Sequence, residues 1–170
     1  MERPGRPLLL LATALVLAGA QRAAADRVEL SLEHNPIRLT LEAIESATDS
    51  IELVTYKFDE GSLEKAAKRA LARGLRVRIV ADADEAKRQR SRIGDVHEAG
   101  AEVRVWKKGK LHAKWAAFDG RTVLTGSFNW TESAQHKNVE LIHRSDDPAT
   151  AKRFGELFEL LWDRSEPFGD

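Results

Sequence analysis

The 170-residue chain carries 27 lysine and arginine side chains against 27 aspartate and glutamate, and it has no cysteine. That length suits one domain with one sizeable core, and the balanced charge argues against a protein that coats duplex nucleic acid through a general basic excess. The lack of cysteine excludes disulfides and any zinc site built on thiolates.

Residues 1–25 contain Arg3 and Arg6, then an uncharged run over residues 8–20, then Ala18-Gly19-Ala20 and Ala23-Ala24-Ala25, either of which offers an A-x-A cleavage site. The apolar run is shorter than the roughly 20 residues a membrane-spanning helix needs. Residues 1–25 are therefore expected to be a secretory signal peptide, with residues 26–170 as the folded domain of a periplasmic or secreted protein. Removing them leaves 27 − 3 = 24 basic and 27 − 1 = 26 acidic residues, a net of −2. Any site for a polyanion must then be local.

Hydrophobic period and turn residues predict a strand over 28–32, a helix over 36–47 and a strand over 51–58. A helix over 62–73 is closed by Gly74, and residues 75–81 (LRVRIVA) alternate as a strand does. A third helix is expected over 83–99, closed by Gly100, then a strand over 102–106. Strands over 111–118 and 122–125 are joined by Asp119-Gly120, a strong hairpin signal. A strand over 138–143 and a helix over 148–162 complete the chain. Strands alternating with helices, plus one internal hairpin, predict an α/β fold: a mixed β-sheet flanked by helices on both faces.

Residues 112–129 read HAKWAAFDGRTVLTGSFN, a match to H-x-K-x4-D-x6-G-S-x-N at every fixed position. At a frequency of roughly 5% per fixed position, such a match would arise by chance about once in 10⁶ chains of this length. In an extended strand His112 and Lys114 share one face, which delivers an imidazole and an ammonium side by side. The turn Gly126-Ser127-Phe128-Asn129 can present the Ser127 hydroxyl and the Asn129 amide as donors. Together with Lys114 they can bind the non-bridging oxygens of a phosphate and stabilise a five-coordinate transition state. Cleaving a diester needs a nucleophile on one side of phosphorus and a proton for the leaving oxygen on the other, so two imidazoles are required. None of His34, His97, His136 or His143 begins a second copy of the pattern. The simplest solution is a two-fold homodimer that shares one site. One His112 would attack to form a phosphohistidine while its partner protonates the leaving group and then activates water; no metal or other cofactor is required.

The segment resembles the HKD motif of the phospholipase D superfamily, present here once. Residues 50–58, 63–73, 75–81 and 138–143 resemble the small single-motif members, which include a bacterial periplasmic endonuclease, and the likeness covers roughly residues 28–163. It implies a phospholipase D-like fold, a phosphohistidine mechanism and the same shared site. Two carboxylates could orient His112. Asp119 sits in the hairpin turn, roughly 20 Å from His112 along the strand, and with Gly120 and Gly126 is assigned a structural turn role. Glu140 matches the acidic residue that pairs with the catalytic histidine in the single-motif relatives, so the expected catalytic residues are His112, Lys114 and Glu140, with Lys114, Ser127 and Asn129 on phosphate.

Lys107, Lys108, Lys110 and Lys137 lie near the motif in sequence, and Tyr56, Phe58, Phe128 and Trp130 supply rings. A basic groove with stacking platforms suits single-stranded nucleic acid. His34 and His136 are further candidates for the site mouth. The expected activity is a metal-independent nuclease acting on DNA or RNA. The alternatives are hydrolysis of phospholipid headgroups by the same chemistry, and a nucleic-acid-binding protein that no longer turns over.

Overall fold

A computed structural model describes residues 26–33 and 35–169. The expected signal peptide and His34 lie outside them. Strand β1 (Arg27–Leu30) is followed by helix α1 (Pro36–Ser46), β2 (Ser50–Thr55), α2 (Gly61–Ala72) and β3 (Arg76–Asp82). Two short helices, α3 (Ala83–Ala86) and α4 (Ile93–Glu98), precede β4 (Glu102–Trp106). The hairpin β5 (Trp115–Phe118) and β6 (Thr122–Gly126), then α5 (Glu132–His136), β7 (Leu141–Ser145), α6 (Pro148–Arg164) and β8 (Glu166–Pro167) complete the order.

The strands form one mixed sheet, β1-β7-β6-β5-β2-β3-β4-β8. β2, β3 and β4 are parallel, and every other pairing is antiparallel. One face carries Leu53, Ile79, Val103, Ala116 and Ile142 into a core shared with α1, α2 and α4. The other carries Val54, Val80 and Trp115 against Phe158 of α6. Helices therefore cover both faces, as the alternation of strand and helix patterns predicts.

The helix starts follow from local chemistry. Asn35 accepts from Ile37 N ahead of Pro36, and Asp147 accepts from Thr150 N ahead of Pro148. The single helix expected over 83–99 is instead broken in two. Asp82 caps α3 by accepting from the amides of Asp84 and Glu85. The intervening polar stretch has no apolar face to bury, and Arg92 is tied elsewhere: its amide donates to Phe58 O at 2.9 Å and its guanidinium to Glu64 at 2.8 Å. α5 and the two-residue β8 were not expected from the sequence pattern. Asp119 and Gly120 both have positive φ, 53° and 60°, at the centre of the β5–β6 turn, which Arg121 N closes by donating to Phe118 O at 3.0 Å. Asp-Gly suits these left-handed positions.

Candidate active site

The sheet brings five chain segments to one rim. Pairing of Val54 with Trp115 puts residues 111–114 at the carboxyl end of β2. Pairing of Trp115 with Thr125, Gly126 with Ile142 and Leu30 with Leu141 brings the end of β6, the start of β7 and the end of β1 to the same edge. The carboxyl ends of parallel strands are the usual place for ligands in open α/β sheets.

His112 and Lys114 do not occupy a strand: β5 begins at Trp115. The expected side-by-side display on a strand face is replaced by a folded-back arrangement. Asp82 accepts from Leu111 N at 2.9 Å, and Thr125 Oγ1 donates to Lys114 O at 3.0 Å, so both ends of the short segment are pinned. Between them, Lys114 Nζ donates to the backbone oxygen of His112 at 2.5 Å and lies 3.3 Å from His112 Nδ1. Lys114 is only 6% exposed, whereas His112 faces solvent.

The electrostatics follow from that geometry. The Lys114 ammonium, ahead of burial, Lys110 and Lys57, holds the imidazole below its ordinary value, with Asp82 opposing. A neutral imidazole near neutral pH is the nucleophilic form. Burial pulls the Lys114 ammonium down, and Glu140 opposes this. The Tyr56 ring completes the surround: its centroid is 4.7 Å from that of His112, and the Lys57, Lys110 and Lys114 nitrogens lie 5.3, 5.4 and 5.5 Å from it.

Glu140 is buried just before β7. Its carboxylate accepts from the Ser127 hydroxyl through a short hydrogen bond and from Asn138 Nδ2 at 2.8 Å. Leu141 N donates to Ser127 Oγ at 3.1 Å, and Glu140 N to Ser31 Oγ at 2.9 Å. Among the described residues Glu140 makes no hydrogen bond to His112 within the protomer. Within the protomer the Glu140 carboxylate orients Ser127 and counters the Lys114 charge.

Gly126 is fixed by close approach: a Cβ there would lie 2.1 Å from Leu141 O. Asn129 Oδ1 is buried without a hydrogen-bond partner among the described residues. Asp119 lies at the far end of β5, where it accepts from the amides of Thr48, Asp49 and Ser50. Of the rings singled out by sequence, Phe58, Phe128 and Trp130 are core residues and offer no stacking surface; Tyr56 alone reaches the site. His136 is exposed on α5, and His143 faces Asp26 at 3.5 Å. No group of three or more His, Cys, Asp or Glu among the described residues is placed to hold a metal ion.

A mixed sheet with an imidazole, a buried lysine and a serine–glutamate pair at its rim defines a phospholipase D-like domain. Residues 40–162 match the family described as "Cardiolipin synthase, PLD-like domain", and the chain belongs to that family. It is similar to the mitochondrial cardiolipin hydrolase of Xenopus tropicalis, 39% identical over 122 residues, 71% of this chain and 58% of that protein. The mouse protein of the same name is 34% identical over 140 residues, 81% of this chain and 63% of the other. The chain thus spans about three fifths of these relatives. Among solved structures, Nuc, a phospholipase D family member from Salmonella typhimurium, superposes with a TM-score of 0.78 at 30% identity, covering 86% of this chain and 99% of Nuc. NucT from Helicobacter pylori shares the fold, with a TM-score of 0.78 at 22% identity, covering 85% of this chain and 99% of NucT. These relatives correct the expected location: the proteins of 39% and 34% identity over the matched residues are mitochondrial by name, not periplasmic or secreted.

Proposed function

We propose that the protein is a phosphodiesterase, most simply a nuclease, working through a phosphohistidine at a site completed by a second copy of the chain. The observation that carries this reading is the solvent-facing imidazole of His112, kept neutral by the buried ammonium of Lys114 3.3 Å away. One His112 attacks phosphorus, forming the N–P bond as the P–O bond to the leaving group breaks. The leaving oxygen takes a proton from the other subunit's imidazolium. That imidazole then removes a proton from water, whose oxygen displaces the first histidine and regenerates both groups. Lys114, Ser127 and Asn129 bind the non-bridging oxygens, and no step calls on a metal.

A place for the second copy is supported by the sheet. Helix α6 packs chiefly over β2 to β6. On β1 and β7, Leu30 and Leu141, directly paired, and Val28, paired with His143, lie exposed on the face that α6 covers elsewhere. Val139 and Leu32 extend the exposed apolar surface beside Glu140 and Ser31. A self-complementary dimer over this patch borders the reaction site and would bring two His112 together.

A phospholipase reading is favoured by one finding, the cardiolipin hydrolase relatives. The deciding experiment assays single-stranded and duplex DNA, RNA, and cardiolipin and phosphatidylcholine vesicles side by side in EDTA. Cleavage of nucleic acid is expected. Activity on lipid alone would replace the nuclease reading, and loss of all activity in EDTA would overturn the two-histidine scheme.

A further inference from the structure

A cavity of about 530 Å³ opens beside the imidazole, within the range that holds small organic ligands. Its walls are the residues that end or follow the three parallel strands, Tyr56, Asp82 and Trp106, with Arg88 and the loop lysines Lys107 and Lys110. Tyr56 is common to the cavity and the reaction site, since the His112 ring packs against it.

Most charges in the wall are already satisfied. Asp82 accepts from the amides of Leu111, Asp84 and Glu85. Glu85 faces Arg88 at 3.0 Å and Lys57 at 3.9 Å, and Lys107 is paired with Glu166 at 2.6 Å. What the cavity offers an incoming ligand is therefore two aromatic rings, the exposed Asp84 carboxylate and the ammonium groups of Lys87 and Lys110, none of these three charges having an ion-pair partner among the described residues; of the two ammonium groups, Lys110 is the one beside Tyr56, 5.4 Å from its ring centroid. An acyl chain would need a continuous apolar wall, and this one alternates rings with charges. A flat heterocycle followed by an anion fits it: the ring stacks, and the anion meets the ammonium.

We propose that this cavity takes the nucleoside adjoining the scissile phosphate, its base against Trp106 and Tyr56 and the next phosphate of the strand at Lys110. The inference rests on the nuclease reading and narrows it. Because a base must leave its stack to enter the cavity, the preferred substrate is an unpaired strand.

The test compares a single-stranded oligonucleotide with the same strand carrying an abasic residue beside the cut, each cleaved by the wild type and by Trp106→Ala. Loss of one base–ring stack is expected to raise KM about tenfold with little change in kcat. The abasic strand and the Trp106→Ala variant should each show that rise, and together should show no more than one of them. Trp106 also packs against the α6 cluster, so Lys110→Gln provides a second variant on an exposed loop. It should raise KM for a strand that continues past the nucleoside and leave unchanged the KM of one that ends there in a hydroxyl. Full additivity of the two losses, or equal KM rises for both strand lengths in Lys110→Gln, would overturn the cavity assignment while leaving the nuclease reading in place. A wild type that cuts vesicle lipid and no oligonucleotide would overturn both.

Discussion

Asp119 belongs to the motif by spacing yet sits at the wrong end of β5 for chemistry, and replacing it separates folding from catalysis. Its carboxylate accepts from Thr48 N at 2.9 Å, Asp49 N at 2.9 Å, Ser50 N at 3.0 Å and Thr48 Oγ1 at 3.2 Å. These donors fix the entry to β2, and Asp119 N closes the ring by donating to Ser50 O at 2.9 Å. Hydrogen bonds to a charged acceptor are worth about 1.5–3 kcal/mol each when buried, but this site is half-buried and its amides regain water on truncation. Counting the set as about 2 kcal/mol, and adding about 1 kcal/mol for alanine at φ 53°, Asp119→Ala should cost about 3 kcal/mol. For a domain of this size that lowers Tm by roughly 6–12 °C. Asp119→Asn keeps a residue tolerant of the left-handed turn and should lose less. Burial pushes the Asp119 carboxyl up, but the bonds from Ser50, Thr48 and Asp49 together outweigh it and hold the group below its ordinary value. Its contribution is therefore complete above the unfolded carboxylate range and is lost as pH falls through the lower folded value, so the gap between wild type and Asp119→Ala should close in acid. Thermal unfolding at several pH values, beside turnover at a temperature where both proteins are folded, checks this. If folded Asp119→Ala retained its Tm but lost hydrolysis by a hundredfold or more, the structural assignment would be wrong.

Four further outcomes are expected. His112→Ala should lower turnover by about 10⁴-fold or more while leaving the fold intact by circular dichroism, and wild type quenched in alkaline denaturant should carry the phosphoryl-linked substrate fragment on His112, detectable by mass spectrometry. Gly126→Ala should lose about 3 kcal/mol in urea unfolding, because its Cβ would meet Leu141 O at 2.1 Å and force β6 from β7; a stable variant would contradict the close approach. Leu30→Asp with Leu141→Asp should yield a folded monomer by light scattering that no longer hydrolyses diesters, and an active monomer would remove the shared site. Lys110→Gln should move the acid limb of kcat/KM to higher pH, since Lys110 is one of the cations that depress His112. An unmoved limb would mean that Lys110 does not act on the group whose titration sets it.

The parts of this molecule legible in sequence are those whose geometry is set within a few residues. Helix caps, Gly74 and Gly100 at helix ends and the Asp119-Gly120 turn declare themselves because their φ values or their donors are local. The break between α3 and α4 is not local. It depends on Arg92 reaching Phe58 O and Glu64, contacts separated by about thirty residues of chain, which no window of periodicity registers. The same division runs through the site. The fixed spacing of His112, Lys114, Gly126 and Ser127 is visible because one hairpin, β5–β6, sets it.

What that hairpin touches across the rim is invisible until the sheet is assembled. Asp82 pins Leu111 from β3, Tyr56 meets the imidazole from the end of β2, and Glu140 holds Ser127 from the start of β7. Residue identity at these positions is also ambiguous. A buried tryptophan and a cavity-lining one read alike in sequence, which is why Trp130 was counted among the rings of the groove and Trp106 was not. The Glu140 case has a further consequence. Among the described residues no hydrogen bond joins Glu140 to His112 within one protomer, where the imidazole's hydrogen-bonding neighbour is Lys114 Nζ at 3.3 Å. An ammonium favours the neutral imidazole needed for attack and disfavours the imidazolium needed to protonate a leaving group. The two tasks therefore call for two different environments of the same residue, and a phosphate bound between two copies would supply the second: its negative charge raises the pKa of whichever imidazole is not attacking. If that is so, vanadate or another phosphate mimic should raise one His112 pKa per dimer in histidine NMR, and an equal, unshifted titration of both would contradict the division of labour.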